Sequence, residues 1–186
     1  MVKELIPEKE LKVVKEEIVI LSKMEHPNII NYFESYEDTR YLFIVMEYAE
    51  EAIELKSLIT KQHENLISGQ PLIPETEVAR IMYMLVSGVL HIHASNVIHR
   101  DLKPENCLID KFHKIKIIDF GLAKTKESDL IGSAMVGTPY YMAPEVFEEH
   151  GDENCYKPPV DIYALGIIMY ELISGHFPFK EGDDLE

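Results

Sequence analysis

The sequence predicts an α+β fold in which strands come early and helices late. Two strand-like runs, 29–36 and 41–48, lie near the start, and two long stretches with helical apolar spacing, 74–95 and 159–174, lie further on. Between those helices residues 119–145 lose all regular periodicity, and a loop of that length in a compact domain is functional or disordered. Runs of strands followed by runs of helices favour segregated α+β parts over alternating βαβ units.

Each element has a local reason. From Pro7 to Met24 the apolar positions Leu11, Val14, Ile18, Leu21 and Met24 step by three and four, one stripe of a helix. Pro7 suits a first turn, and His26-Pro27-Asn28 ends the pattern. The two strand-like runs are joined by Glu37-Asp38-Thr39-Arg40. The second of them, Leu42-Phe43-Ile44-Val45-Met46, is apolar on both faces, as in a covered interior strand. Residues 54–66 read as a short helix followed by a polar loop. Pro74, with Glu75 and Glu77 behind it, opens a long helix whose stripe is Val78, Ile81, Met82, Leu85, Val89 and Ile92. Short strands are expected at 107–109 and 115–118. Pro159 opens a last helix that is apolar nearly all round and so should be buried on most of its circumference, with Gly175 as its cap.

Composition narrows the function classes. A chain of 186 residues suits one ordinary domain, and 46% hydrophobic residues suffice for a core. Asp and Glu number 33 against 18 Lys and Arg, a formal charge of −15, which repels phosphate backbones and argues against nucleic-acid binding. Two cysteines, Cys107 and Cys155, supply neither a disulfide framework nor a four-ligand zinc site. No signal peptide is visible, and the longest apolar stretch, from Ile162 to Tyr170, is far short of the roughly 20 residues that span a bilayer. The expectation is a soluble chain without membrane insertion, cytoplasmic or nuclear.

The chemistry is concentrated in His99-Arg100-Asp101-Leu102-Lys103-Pro104-Glu105-Asn106 and, thirteen residues later, Asp119-Phe120-Gly121. Asp101 is a carboxylate acceptor, and Lys103 is a positive charge two residues on. Asn106 and Asp119 are hard oxygen donors of the kind that hold Mg²⁺ together with substrate phosphates. The short strands between them form a hairpin able to return Asp119 beside Asn106. A base, a charge clamp and a metal clamp together suit phosphoryl transfer.

On these motifs, with Ala143-Pro144-Glu145 after them, the sequence resembles a eukaryotic protein kinase of the serine/threonine type over essentially its full length. The resemblance implies a bilobal fold, truncated at both ends, with a partial small lobe at 1–48 and a partial large lobe at 49–186. It implies ATP and Mg²⁺ as cofactors, and Ser or Thr hydroxyls of proteins as acceptors. Asp101 then resembles the catalytic base, Asn106 and Asp119 the metal-binding positions, and Lys103 the contact to the transferred phosphate, with Thr138 bracing the base. Met46-Glu47-Tyr48-Ala49 resembles the hinge, where backbone groups of Glu47 and Ala49 would hold adenine. There Met46 would guard a deeper pocket, Leu108 would pack below the base and Glu54 would reach the ribose.

Other implied roles lie around this centre. Lys3 is the candidate phosphate-binding lysine and Glu17 its helix partner, with Glu16 as the neighbouring alternative. Glu50, Glu51, Glu54 and Glu105 would favour basic residues upstream of the target hydroxyl. Arg100 would receive a phosphate from Thr125, Ser128 or Ser133, and Asp161 would bond the backbone near His99 and Arg100. The subfamily resembled is the calcium- or calmodulin-dependent kinases, although no calcium-loop pattern is present. No glycine precedes Gly69, so a Gly-rich phosphate loop is absent from these residues. The alternative expectation is therefore a truncated, non-catalytic kinase-like module that binds nucleotide or protein. The apolar faces of the 74–95 and 159–174 helices would then be partly wet.

Overall fold

The structure, a computed structural model, describes residues 8–69, 72–125, 137–147 and 157–179. Lys3, Pro7, Ser128, Ser133 and Cys155 lie outside those residues. Helix α1 spans Glu8–Leu21, strands β1 Tyr32–Glu37 and β2 Leu42–Met46, and β3 Ile53–Glu54 runs directly into α2, Leu55–Ser68. Then come α3 Glu75–Ala94, β4 Val97–Ile98, β5 Cys107–Ile109, β6 Ile115–Ile117, β7 Lys124–Thr125 and α4 Pro159–Ser174.

β1 and β2 make an antiparallel hairpin with Tyr36 opposite Phe43 and Glu37 opposite Leu42. Asp38 builds its turn, its carboxylate accepting the Arg40 and Tyr41 N–H groups at 2.7 and 2.6 Å. The expected covered interior strand is not what forms. Leu42 is buried, but Phe43 and Met46 are exposed, because β2 is paired only with β1 among the described residues. Tyr36 and Phe43 stack on the open face with ring centroids 4.8 Å apart.

The second sheet, in the order β3-β5-β6, pairs Glu54 with Leu108 and Cys107 with Ile117. Residues 28–30 are stitched to it: the Ile117 N–H donates to the Asn28 carbonyl, the Ile30 N–H to the Ile117 carbonyl, and Asn28 Nδ2 to the Ile115 carbonyl. The core therefore runs from Ile20, Leu21 and Met24 through Ile29 and Ile117 to Leu85, Val89 and Ile92 of α3 and Ile168 and Leu172 of α4. A smaller cluster, Ile98, Met142, Ala143, Val146 and Val160, lies under the 138–147 segment.

α3 begins one residue after Pro74 and buries its expected stripe apart from the partly exposed Met82. α4 departs from expectation. Val160, Ala164, Leu165, Ile168 and Leu172 are buried, yet Ile162, Met169, Tyr170 and Ile173 are exposed. Tyr83, Val86 and Leu90 of α3 are also exposed, so both helices keep an apolar face in water. Gly175 ends α4 at φ 73, and a Cβ there would lie 2.9 Å from His63 backbone atoms, so the cap also permits the approach of α2.

Candidate active site

The catalytic-loop side chains meet on one carboxylate. Thr138 Oγ1 donates to Asp101 Oδ1 at 2.8 Å, and Lys103 Nζ lies 2.9 Å from Asp101 Oδ2 and 2.8 Å from Thr138 Oγ1. Asn106 Nδ2 donates to the Asp101 carbonyl at 2.9 Å and to its Oδ2 at 3.1 Å. Thr138 reaches this site because Gly137 precedes it. A Cβ on Gly137, whose φ is 118, would sit 2.7 Å from the Arg100 carbonyl oxygen. With both amide hydrogens of Asn106 directed at Asp101, its Oδ1 is the atom available to a cation.

The hairpin of β5 and β6 returns the chain as the sequence suggests. The Ile118 N–H donates to the Asn106 carbonyl at 2.9 Å, so the next residue, Asp119, emerges beside Asn106. Asp119 is exposed, has φ 62, and accepts the Gly121 N–H at Oδ1. Among the described residues no group of three His, Cys, Asp or Glu could hold a metal unaided. Two oxygen donors on one rim fit a Mg²⁺ that takes its remaining ligands from phosphates and water.

Beneath this rim the packing is dry. Phe120 is fully buried, and its ring meets His99 edge-on at 5.0 Å. Burial pushes the His99 imidazole below its ordinary value against the pull of Asp161, and its Nε2 lies 3.3 Å from the Ile118 carbonyl. Asp161 holds the loop backbone from below, accepting the His99 and Arg100 N–H groups at 2.9 Å each. Arg100 has φ 68 and donates from Nε to the Leu122 carbonyl at 2.7 Å. Thr125 lies in β7 opposite Val97.

Glu17 and Glu16 part company. Burial raises the Glu17 carboxyl above its usual range, the nearby Asp119 charge adds to this, and the Phe120 N–H opposes it. Glu16 instead pairs with Lys124. Glu17 is thus the helix carboxylate facing the Asp119-Phe120 turn.

The hinge segment is more open. Met46 is 43% exposed and Tyr48 84%. The Glu47 N–H donates to the Asn31 carbonyl at 2.8 Å, and its carboxylate binds Lys116 at 2.7 Å. Its backbone contribution to a ligand is therefore limited to the carbonyl. Ala49 is half-buried, and Glu54 and Leu108 are cross-strand neighbours. Of the acidic set, Glu51 is engaged with Lys111 at 3.2 Å, whereas Glu105 Oε2 is buried without a hydrogen bond among the described residues.

The sequence reading passed over Glu171, buried on α4. It bonds the Tyr141 hydroxyl at 2.7 Å and Lys56 at 3.1 Å, and with burial it pushes the Tyr141 phenol far above its ordinary range. A glutamate inside an otherwise apolar helix was the available signal. His93 was missed too, because the α3 stripe counts only apolar positions.

The family model described as "Protein kinase domain" matches residues 1–186. The chain belongs to the protein kinase domain family. It is 36% identical over 169 residues to probable serine/threonine-protein kinase KCC4 of Saccharomyces cerevisiae, covering 90% of this chain and 15% of that protein. It is 39% identical over 177 residues to calcium-dependent protein kinase 5 of Plasmodium berghei, covering 92% of this chain and 29% of the relative. With calcium-dependent protein kinase 6 of the same organism the identity is 38% over 180 residues, or 94% of this chain and 11% of the relative. The chain thus spans less than a third of the length of these relatives.

Proposed function

We propose that this chain is a serine/threonine protein kinase domain that transfers the γ-phosphate of ATP to Ser or Thr hydroxyls of protein substrates. The observation that carries the reading is the single network joining Asp101, Lys103, Thr138 and Asn106. Asp101, held at both oxygens, orients the acceptor hydroxyl and takes its proton as the new oxygen–phosphorus bond forms and the bond to the leaving ADP oxygen breaks. Lys103 places positive charge against the moving phosphoryl group. Asn106 Oδ1 and the Asp119 carboxylate would hold Mg²⁺, which supplies charge neutralisation at the phosphates. The Glu47 carbonyl and Ala49 N–H would meet adenine, with Met46, Leu108 and Glu54 around it; Lys3 and Glu17 would act as the phosphate-side pair. Thus 1–48 and 49–186 serve as the two lobes.

Substrates with basic residues upstream of the hydroxyl suit the site, since Glu105 is half-buried with an Oε2 that has no hydrogen bond among the described residues, and Glu50 and Glu54 are exposed close in sequence to the hinge. A net charge of −15 supports protein rather than nucleic-acid partners. No helix among the described residues is long and apolar enough to cross a membrane, and a cytoplasmic or nuclear setting is part of the same proposal. An intact four-residue network lends the non-catalytic alternative no support.

The test is Mg·ATP-dependent phosphorylation of a basic Ser peptide by the full chain, compared with Asp101→Asn. Loss of the base is expected to lower kcat by about 10²–10⁴-fold. Equal transfer by both proteins, or none by the unaltered chain, refutes the proposal.

A further inference from the structure

Glu171 is a charged side chain inside the apolar helix α4, 2% exposed, and phosphoryl transfer as described above gives it no task. Both its oxygens are taken. The Tyr141 hydroxyl donates to Oε2 at 2.7 Å, and Lys56 Nζ lies 3.1 Å from Oε1. The two partners differ in kind. Tyr141 is itself buried, whereas the Lys56 side chain is 39% exposed, so the lysine reaches in from the surface and closes the carboxylate off from it. Lys56 is the second residue of α2, where the positive end of the helix dipole disfavours a cation. The carboxylate below it, and not its own helix, accounts for a lysine at that place.

This pair stands beside the proposed transfer site. Tyr141 ends the 139–141 turn that follows Thr138, whose hydroxyl bonds Asp101. α2 packs against α4 and against the 104–106 turn that follows Lys103. Glu105 in that turn adds its negative charge to the surroundings of the Tyr141 phenol, and its Oε2 has no hydrogen bond among the described residues. The wall next to Asp101 thus holds two carboxylates, Glu105 and Glu171, and one resident cation that faces water. An extended peptide advances about 3.3 Å per residue, so with its serine at Asp101 a residue a few places along passes this wall. An arginine there finds Glu171 already neutralised and meets the Lys56 ammonium first, a like-charge approach. We infer that Lys56 is a specificity-determining residue: as a resident counterion on Glu171 it excludes arginine and lysine from the one substrate position that passes α2, and leaves basic residues to be read elsewhere, by Glu105, Glu50 and Glu54. The inference rests on the kinase reading given above and narrows the substrate class within it.

The experiment measures Mg·ATP-dependent phosphorylation of a Ser peptide by the full chain, unaltered and with Lys56→Met or Lys56→Arg. In the peptide, Arg replaces Ala singly at each position from five before to four after the serine. Methionine keeps the apolar stem and removes the charge, whereas arginine keeps the charge. In the Met protein a peptide arginine can supply the missing cation at Glu171. The kcat/KM ratio of Arg to Ala peptide should then rise about tenfold or more at one position, through peptide KM, with kcat and KM for ATP within about twofold. The Arg protein should keep the unaltered profile. A ratio that moves by less than about twofold at every position overturns the inference, as does an Arg protein that behaves like the Met protein. So does a rise spread evenly over all positions, which a change in net charge produces without a local site. If the Met protein does not fold, Lys56→Gln carries the comparison. Binding of the same peptides with alanine in place of the serine, followed by fluorescence anisotropy, needs no turnover and should show the same single-position rise. An active chain with a flat response defeats the inference while sparing the kinase reading. An unaltered chain with no transfer defeats the kinase reading; the anisotropy profile then decides on Lys56 alone, and a flat one overturns the inference too.

Discussion

Asp101 and Met46 are both assigned to the proposed reaction site, and their surroundings differ in kind. Asp101 is gripped by Thr138, Lys103 and Asn106, and its loop is held from below by the buried Asp161 of α4. Met46 ends a strand paired on one side, with the exposed Tyr48 beyond it. The groups proposed to aim at a bond being made are fixed by several short polar contacts in a half-buried setting, where each contact is worth more than in open water. The side expected to receive the flat adenine ring relies on backbone groups and is left open. Stability and reactivity should therefore respond very unequally to changes in the two regions.

The largest contrast is in stability. Asp161→Ala strands the buried His99 N–H, the part-buried Arg100 N–H and the His93 donor, and should cost about 3–5 kcal/mol by urea unfolding. Tyr36→Ala, on the open hairpin face, should cost less than about 1 kcal/mol. Similar losses in the two variants would break the comparison.

A medium effect is expected from pH. Burial lowers His99 and, with help from His91 and Lys116, lowers His26, so both favour the neutral form when folded. Below the ordinary histidine value of about 6.5 the unfolded chain binds more protons than the folded one. The stability these groups contribute is therefore present above that value and is lost as pH falls through it towards their lowered folded values. Glu17, raised by burial, acts in the opposite sense, nearer the carboxylate range. The urea midpoint should fall between pH 7.5 and 5.5, with a shallower slope in His26→Gln. A midpoint that rises over this interval contradicts the assignment.

The smallest effect concerns Cys107, next to Asn106. It is fully buried, and burial, with the Glu105 charge, pushes its thiol up to about 12. In a Cys155→Ser protein, iodoacetamide should leave native Cys107 unmodified at pH 8 while labelling it readily in urea. Rapid native labelling would show that the floor of the catalytic loop is as open as the hinge.

Much of this was legible in the chain. The helix after Pro74, the cap at Gly175 and the strands that bring Asp119 back beside Asn106 all follow from local periodicity and turn chemistry. The open state of β2 was not legible, because an apolar run looks the same whether or not a second layer covers it. The exposed face of α4 was hidden for the same reason.

What the sequence determined by itself was the set of reactive groups and their order, since residue types and spacings state which acids, amides and cations are present and which share a local element. Only the tertiary structure decided that Glu17 rather than Glu16 faces Asp119, that Glu51 is taken by Lys111, and that His93 meets Asp161 across 68 residues. Local spacing is governed by backbone torsions within a few residues. Those three pairings depend instead on which faces the packed helices and hairpins turn towards one another.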